Sequence, residues 1–353
     1  MGKVKNQHYV PHSYLKYFAN KKEQVWVYDK QTDKKFISNI DSVASERYFY
    51  DVHFDQILDS LLKIDSISDD DKEELKRILD ETDYSSSEEA KKSMEQSIES
   101  FFSQKVEGNF KKFLDNIRSR YTMRPSPLFS QAFTNEERAH LSVLLGFQIV
   151  RSKEFRESYF EMKESMTQSI VDMVASSYDE NYEKGSIVFR PRLESKPLEH
   201  ANLIQSEFPF KIAEALSSHY WFVGINQTEL PFYTSDNPIV KYAHKEDSFG
   251  GMGFGYASPG IEVAFPLSNK LILVLAEKSV HRHYKDLDKL YVPFTDRENI
   301  IYYNSLQVIQ SNRQVYCHDN NFKLVEKFKK RDGSLARKKV KLEPVSLGDI
   351  KIK

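Results

Sequence analysis

Six residues of this chain have the types and settings to do chemistry: His8, Glu107, Gln148, Arg151, Asp236 and Asn237. Gln148 and Arg151 stand three apart, which puts them on one face of a helix. They follow Leu141, Leu144, Leu145 and Phe147, so that face is partly buried and its polar groups need partners. Glu107, on another helical stretch, is the natural partner for Arg151. An internal salt bridge locking two helices fits this pattern, and so does a site whose planar guanidinium holds an anion. In Ser235-Asp236-Asn237-Pro238 the sequence predicts a tight turn after a strand. It reads either as an Asx turn or as a strand-end loop that presents Asp236 as base or ligand. Pro11 fixes its own φ and keeps Val10 extended. His8 should therefore lie on an extended segment before a short helix carrying Tyr14, Leu15 and Phe18. Its imidazole suits an acid, a base or a metal ligand, or else a satisfied structural residue. One nitrogen and two carboxylates, from His8, Glu107 and Asp236, would suit one divalent ion if they met.

The elements that must position these residues are legible in outline. Val25-Trp26-Val27-Tyr28-Asp29, a turn, and Lys35-Phe36-Ile37-Ser38 predict a β-hairpin. From Phe54 to about Arg120 the chain reads as polar helix, with Ile57, Leu58, Leu61 and Leu62 at helical spacing. Ser97 to Ile117 continues as an amphipathic helix carrying apolar residues from Ile98 to Leu114. Pro125 and Pro127 break it, and Thr134 with Glu137 forms a capping box for a helix that runs on to about Ser177. Asn202–Ser218 reads as one helix. After Tyr220 the pattern changes to strands, with Leu271-Ile272-Leu273-Val274-Leu275 as a buried one, and a helix follows over about 296–315. Basic residues dominate after Lys323, in what reads as a loosely ordered tail. The expected fold class is α+β: a small N-terminal hairpin part (1–53), a helical middle (54–219) and a β-rich part with a final helix (220–322). These form one co-folded unit, followed by a basic tail (323–353).

Composition sets limits. The 353 residues are 40% hydrophobic and 13% aromatic, ample for a large core. The net charge of −1 gives no global field to recruit nucleic acid or membrane. A single cysteine, Cys317, excludes a disulfide framework within the chain and reads as an inert apolar residue. The polar Met-Gly-Lys-Val-Lys-Asn start lacks an apolar leader segment, and no apolar run is long enough for a membrane span, so a cytoplasmic location is expected. Other signals are weak. Gly250-Gly251-Met252-Gly253-Phe254-Gly255 lacks a phosphate-loop context. Arg313 and His318 have an Arg-x4-His spacing that arises readily by chance. His281-Arg282-His283 looks like a metal pair but reads as a solvated loop.

Several blocks together resemble the DUF4238 family, whose members have no assigned activity. They are the stretch from Asn6-Gln7-His8-Tyr9-Val10-Pro11 through Tyr14 and Leu15 to Phe18, then Ser45-Glu46-Arg47-Tyr48-Phe49-Tyr50 and Lys105-Val106-Glu107-Gly108-Asn109-Phe110. Gly146 to Arg156, Thr234-Ser235-Asp236-Asn237-Pro238, Phe265-Pro266-Leu267-Ser268 and the segment opening at Asn304 complete the set. The resemblance covers roughly residues 6 to 320 and implies no activity, so the chemistry is argued from the polar residues of these blocks. The first expectation is a hydrolase or nuclease-like enzyme acting on a phosphate-containing substrate. In it His8, Glu107 and Asp236 are catalytic, Gln148, Arg151 and Asn237 bind substrate, and a divalent metal ion is the candidate cofactor. The alternative is a non-catalytic binding protein that touches nucleic acid through its basic tail. A nucleotide or nucleic acid is the expected partner, with no membrane.

Overall fold

The computed structural model describes residues 4–52, 68–70, 72–73, 77, 96–124, 126–190, 195–245 and 255–337. The expected features at Ile57–Leu62, Gly250–Phe254 and the last residues of the tail lie outside them.

The fold is α+β. Strand β1 (Asn6–His8) pairs antiparallel with β4 (Ser45–Arg47), and the short helix α1 (His12–Leu15) follows Pro11. Tyr14, Leu15 and Phe18 are all buried, as their spacing predicts. The predicted hairpin is β2 (Gln24–Asp29) with β3 (Lys34–Asn39). The helical middle comprises α2 (Ser97–Phe101), a π-helical turn over 102–106, α3 (Glu107–Met123), α4 (Asn135–Arg151), α5 (Lys153–Tyr178), α6 (Lys196–Gln205) and α7 (Phe208–Ser217). Thr134 and Glu137 form the predicted capping box. The long helix expected past Arg156 is two helices, because Ser152 leaves the helical region (ψ 147°) and caps α5 through Phe155 N–H. The helix expected over 202–218 also divides. Ser206 is extended, and Pro209 sits in the first turn of α7, where its missing N–H costs nothing.

The β-rich part holds two sheets. Five strands run in the order β10 (Tyr291–Phe294), β5 (Tyr220–Asn226), β9 (Leu271–Ala276), β8 (Ile261–Pro266), β7 (Val240–Ala243). Only the β10–β5 pair in that sheet is parallel. Its three inner strands, β5, β9 and β8, are buried on both faces, which explains the unbroken apolar run of β9. Trp221, Val223, Val263, Phe265, Leu273 and Leu275 face the main core with α1, α3 and α4. Phe222, Ala264, Ile272 and Val274 face α8 (Arg297–Gln310) through Ile300, Tyr303 and Leu306. The second sheet extends the N-terminal hairpin in the order β3-β2-β11-β6, with β6 at Thr234–Ser235 and β11 at Gln314–Cys317. The helix expected to reach Val315 therefore stops at Gln310, since β-branched and aromatic residues in Val315-Tyr316 favour the sheet that Trp26, Val27 and Tyr28 offer. The start of the tail is ordered too. Helix α9 (Lys323–Asp332) buries Val325 against Tyr28, Tyr233 and Val315. Among the described residues no helix is long and apolar enough to cross a membrane.

Helices α4 and α7 cross at Gly146. A Cβ built there would lie 2.2 Å from the Pro209 carbonyl oxygen, which belongs to the backbone and cannot swing away. Gly146→Ala is therefore expected to lower unfolding free energy by about 3 kcal/mol, read as a reduced urea midpoint with an unchanged slope.

Candidate functional site

Arg151 ends helix α4 with its side chain wholly excluded from solvent. Both terminal guanidinium nitrogens donate to Glu107 Oε1 at 3.1 Å, and Nη2 also donates to the His8 carbonyl. Nε reaches the Tyr50 hydroxyl at 3.4 Å, while that hydroxyl lies 3.1 Å from the Arg151 carbonyl, which can only accept. The Phe102 ring stacks 4.1 Å from the guanidinium carbon. One cation thus gathers β1, the segment after β4, the π-turn and α3 onto the end of α4. Gln148, one turn earlier and also buried, donates to the Tyr9 carbonyl at 2.9 Å. The expected Glu107–Arg151 pair is present, and His8 joins it through its backbone.

Around this pair stand titratable side chains that are half-buried and so reach the surface: His8, Glu99 and Glu107. His8 Nε2 and Glu99 Oε2 are each buried without a hydrogen-bond partner. Burial lowers the His8 pKa, with the Glu107 charge opposing. Burial pushes the Glu99 carboxyl up to about 7, against the pull of Arg151 and with the help of Glu107 and Asp51. At neutral pH the cluster therefore holds an uncharged imidazole and a carboxyl that is substantially protonated. Titratable groups whose pKa values are shifted by burial and a charged partner are enriched in catalytic sites. Glu99 and Tyr50 are absent from the residues picked by sequence. Tyr50 lies in the Ser45–Tyr50 block, whereas Glu99 sits among many solvent-type glutamates and nothing in its spacing sets it apart.

Asp236 and Asn237 are built into a different junction. Asp236 Oδ1 accepts from Asn312 N–H (2.8 Å), and Oδ2 accepts from Arg313 N–H (2.7 Å) and Gln314 N–H (2.8 Å). Burial pushes this carboxyl up to about 6, opposed by those amides and by Lys30. Asn237 donates to the Gln310 carbonyl at 2.9 Å. Among the described residues no hydrogen bond or ion pair joins Asp236 to His8 or Glu107. The structure thus brings His8, Glu107, Gln148 and Arg151 together and sets Asp236 and Asn237 at the entry to β11.

The same junction uses one face of α8. Asn304 accepts from Tyr233 N–H and donates to the Pro231 carbonyl. Gln307 accepts from the Ser235 hydroxyl and donates to the Pro238 carbonyl, and Gln310 brackets Lys241 through its N–H and C=O. The i, i+3, i+6 spacing of these amides is a sequence signal for a polar, buried helix face. The Arg313/His318 pair is also structural: Arg313 pairs with Asp29 at 2.7 Å, and His318 Nδ1 lies 3.3 Å from the Phe18 carbonyl.

The model for "Protein of unknown function (DUF4238)" matches residues 6–321. The chain belongs to the DUF4238 family. No curated protein and no solved structure matches it. In this DUF4238 protein the first block reaches two others directly, since the Tyr14 hydroxyl lies 2.7 Å from both Thr234 Oγ1 and the Pro266 carbonyl. The Ser45–Tyr50 block meets the α4–α5 block through Glu46, which pairs with Lys153 and Arg156, and through Phe49, whose ring lies 3.5 Å from the Arg156 guanidinium carbon.

Glu99 gives a pH signature. Its folded pKa of about 7 exceeds the ordinary 4.5, so folding favours its protonated form. That stability is fully present below pH 4.5 and is lost as pH rises through about 7, to an extent of roughly 3 kcal/mol. His8 acts in the opposite sense, costing stability as pH falls below 6.5. Comparison of Glu99→Gln with the parent isolates the carboxyl. The variant should gain on the order of 2–3 kcal/mol relative to the parent between pH 5 and 8, measured by urea unfolding at each pH.

Proposed function

We propose that this chain is a hydrolase, nuclease-like in its chemistry, that works by general acid–base catalysis at the His8–Glu99–Glu107 cluster on a phosphate-containing substrate. The observation that carries the reading is the pair of buried, unpartnered atoms, His8 Nε2 and Glu99 Oε2, gathered about one arginine–glutamate pair. Neutral His8 would take a proton from the attacking water, and protonated Glu99 would give one to the leaving oxygen. Arg151 would act as a positioning residue, because its donors are already committed to Glu107, to the His8 carbonyl and to Tyr50. The anion-binding role expected of it therefore passes to the substrate's own counter-ion. With the Glu107 and Asp51 carboxylates at hand, a phosphate ester would have to arrive with a divalent cation.

The test is turnover of phosphomonoesters, phosphodiesters and single-stranded nucleic acids with Mg2+ or Mn2+. His8→Gln should lower kcat about 10²–10⁴-fold while leaving the melting temperature close to that of the parent. The kcat/KM profile should be bell-shaped, limited on the alkaline side near pH 7, and Glu99→Gln should abolish that alkaline limb together with most of the rate. Failure of all these substrate classes to turn over would refute the reading.

A second reading has its own observation. The side chains of Gln148, Asp236 and Asn237 bond to backbone groups of distant segments, as braces do. On it the chain is a non-catalytic binding protein. Salt-dependent nucleic-acid binding, lost on removal of residues 338–353, with no turnover, would favour it. On either reading Asp236→Asn should cost about 3 kcal/mol of stability, because an amide would face three N–H donors with one acceptor oxygen; a variant as stable as the parent would show that Asp236 is no brace.

A further inference from the structure

His244, Glu262 and His281 come from three separate segments, yet one ligand atom from each lies within 4.8 Å of the other two. The sheet register explains the meeting. Tyr242 of β7 faces Glu262 of β8 across the antiparallel pair, so His244 follows just past the end of β7. The Gly260 carbonyl accepts His244 N–H at 3.0 Å and lies 3.3 Å from His281 Nε2, so one peptide positions both imidazoles. Gly260 has a φ of +78°, a conformation that glycine adopts without strain, and its own N–H is held by Glu277. The two rings stand nearly perpendicular, with centroids 4.9 Å apart.

The carboxylate is the unusual member. Glu262 is almost fully buried in the sheet, and His244 Nε2 lies 3.3 Å from its Oε2. Its Oε1 is buried with no donor in hydrogen-bond geometry, while the Tyr302 and Tyr303 hydroxyls approach the carboxylate and the Tyr302 hydroxyl lies 3.5 Å from His244 Nε2. Burying such a group is costly unless a cation satisfies it. Around a tetrahedral ion with bonds of 2.0–2.2 Å, ligand atoms stand roughly 3.4 Å apart. The His244–Glu262 separation already matches, and the His281 ligand atom lies within 4.8 Å of both. His281 could keep its bond to Gly260 and ligate through Nδ1, or release it and ligate through Nε2. His244 is about one-third exposed, which leaves a fourth position accessible from its side.

We propose that His244, Glu262 and His281 form a binding site for one divalent transition-metal ion of the zinc class, with a fourth position open to water or a ligand. Two imidazoles and one carboxylate select such ions over Mg2+ and Ca2+, which prefer all-oxygen sets. The site is separate from the His8 cluster and does not depend on the reading given for it.

The experiment uses the full chain, stripped with a chelator and dialysed, then titrated with Zn2+ and with Co2+. One ion per chain, the visible absorption of Co2+ on imidazole ligands, and no competition from millimolar Mg2+ are expected. His244→Ala, at the rim, should weaken Zn2+ binding by at least about tenfold while melting like the parent without metal. Glu262→Gln should do the same, whereas His12→Ala, removing another imidazole beside carboxylates, should change nothing. Absence of binding at micromolar Zn2+, or equal affinity in the parent and His244→Ala, would overturn the assignment and leave a proton as the sole cation shared by His244 and Glu262.

Discussion

A single desolvated cation organises the N-terminal half of this protein. The Arg151 guanidinium has no contact with water, so each of its donors must find a protein acceptor or the fold loses several kcal/mol. Those acceptors are Glu107, the His8 carbonyl and Tyr50, from three remote stretches of chain. Satisfying one side chain therefore fixes strand β1, the end of the β4 segment and the start of α3 relative to α4. Phe102 completes the enclosure from the π-turn, whose extra residue per turn re-aims the ring toward the cation.

The C-terminal half depends on a similar device with the sign reversed. Asp236 is a buried carboxylate that collects three successive backbone amides where the chain passes from α8 into β11. It forces the turn that lets β11 pair with β2, and so carries the N-terminal hairpin into a sheet shared with residues 234–235. Asn304, Gln307 and Gln310 serve the loop and strand residues between Pro231 and Lys241 in the same way. The two halves are then joined by Tyr14, whose hydroxyl meets Thr234 and the Pro266 carbonyl while its ring stacks on Phe265 at 5.0 Å.

How much of this was legible follows from which interactions are local. The capping box at Thr134, the buried run of β9, the hairpin and the helical face bearing Gln148 and Arg151 all express short-range rules, and each is where the sequence placed it. The Glu107–Arg151 pair was legible as well, because a buried arginine beside a leucine-rich face demands a carboxylate. What escaped depends on tertiary context. Nothing local tells Val315-Tyr316 that β2 is free to pair, or tells Ser152 to leave the helix. Glu99 looks like any surface glutamate until burial raises its pKa. His281 read as solvated because it alternates with charged residues and a lysine stands nearby in sequence, whereas its neighbours in space are Glu262 and His244.

These observations separate two kinds of buried polar group. Gln148, Asp236, Asn304 and Gln307 have their side-chain bonds directed largely at backbone atoms of distant segments, and Arg151 commits its donors to Glu107, Tyr50 and the His8 carbonyl, so these residues stabilise the fold and specify its connections. His8 Nε2, Glu99 Oε2 and Glu262 Oε1 are buried without a partner, each at a cost the fold must offset elsewhere. A brace gains stability from being satisfied; a group that must move a proton or hold an ion needs an unfilled position. The braces lie against the unfilled groups: Arg151 and Glu107 border His8 and Glu99, and the Gly260 carbonyl that holds His244 and His281 adjoins Glu262. Function in this fold is therefore best sought not at its most heavily bonded residues but at the unsatisfied atoms those residues hold in place.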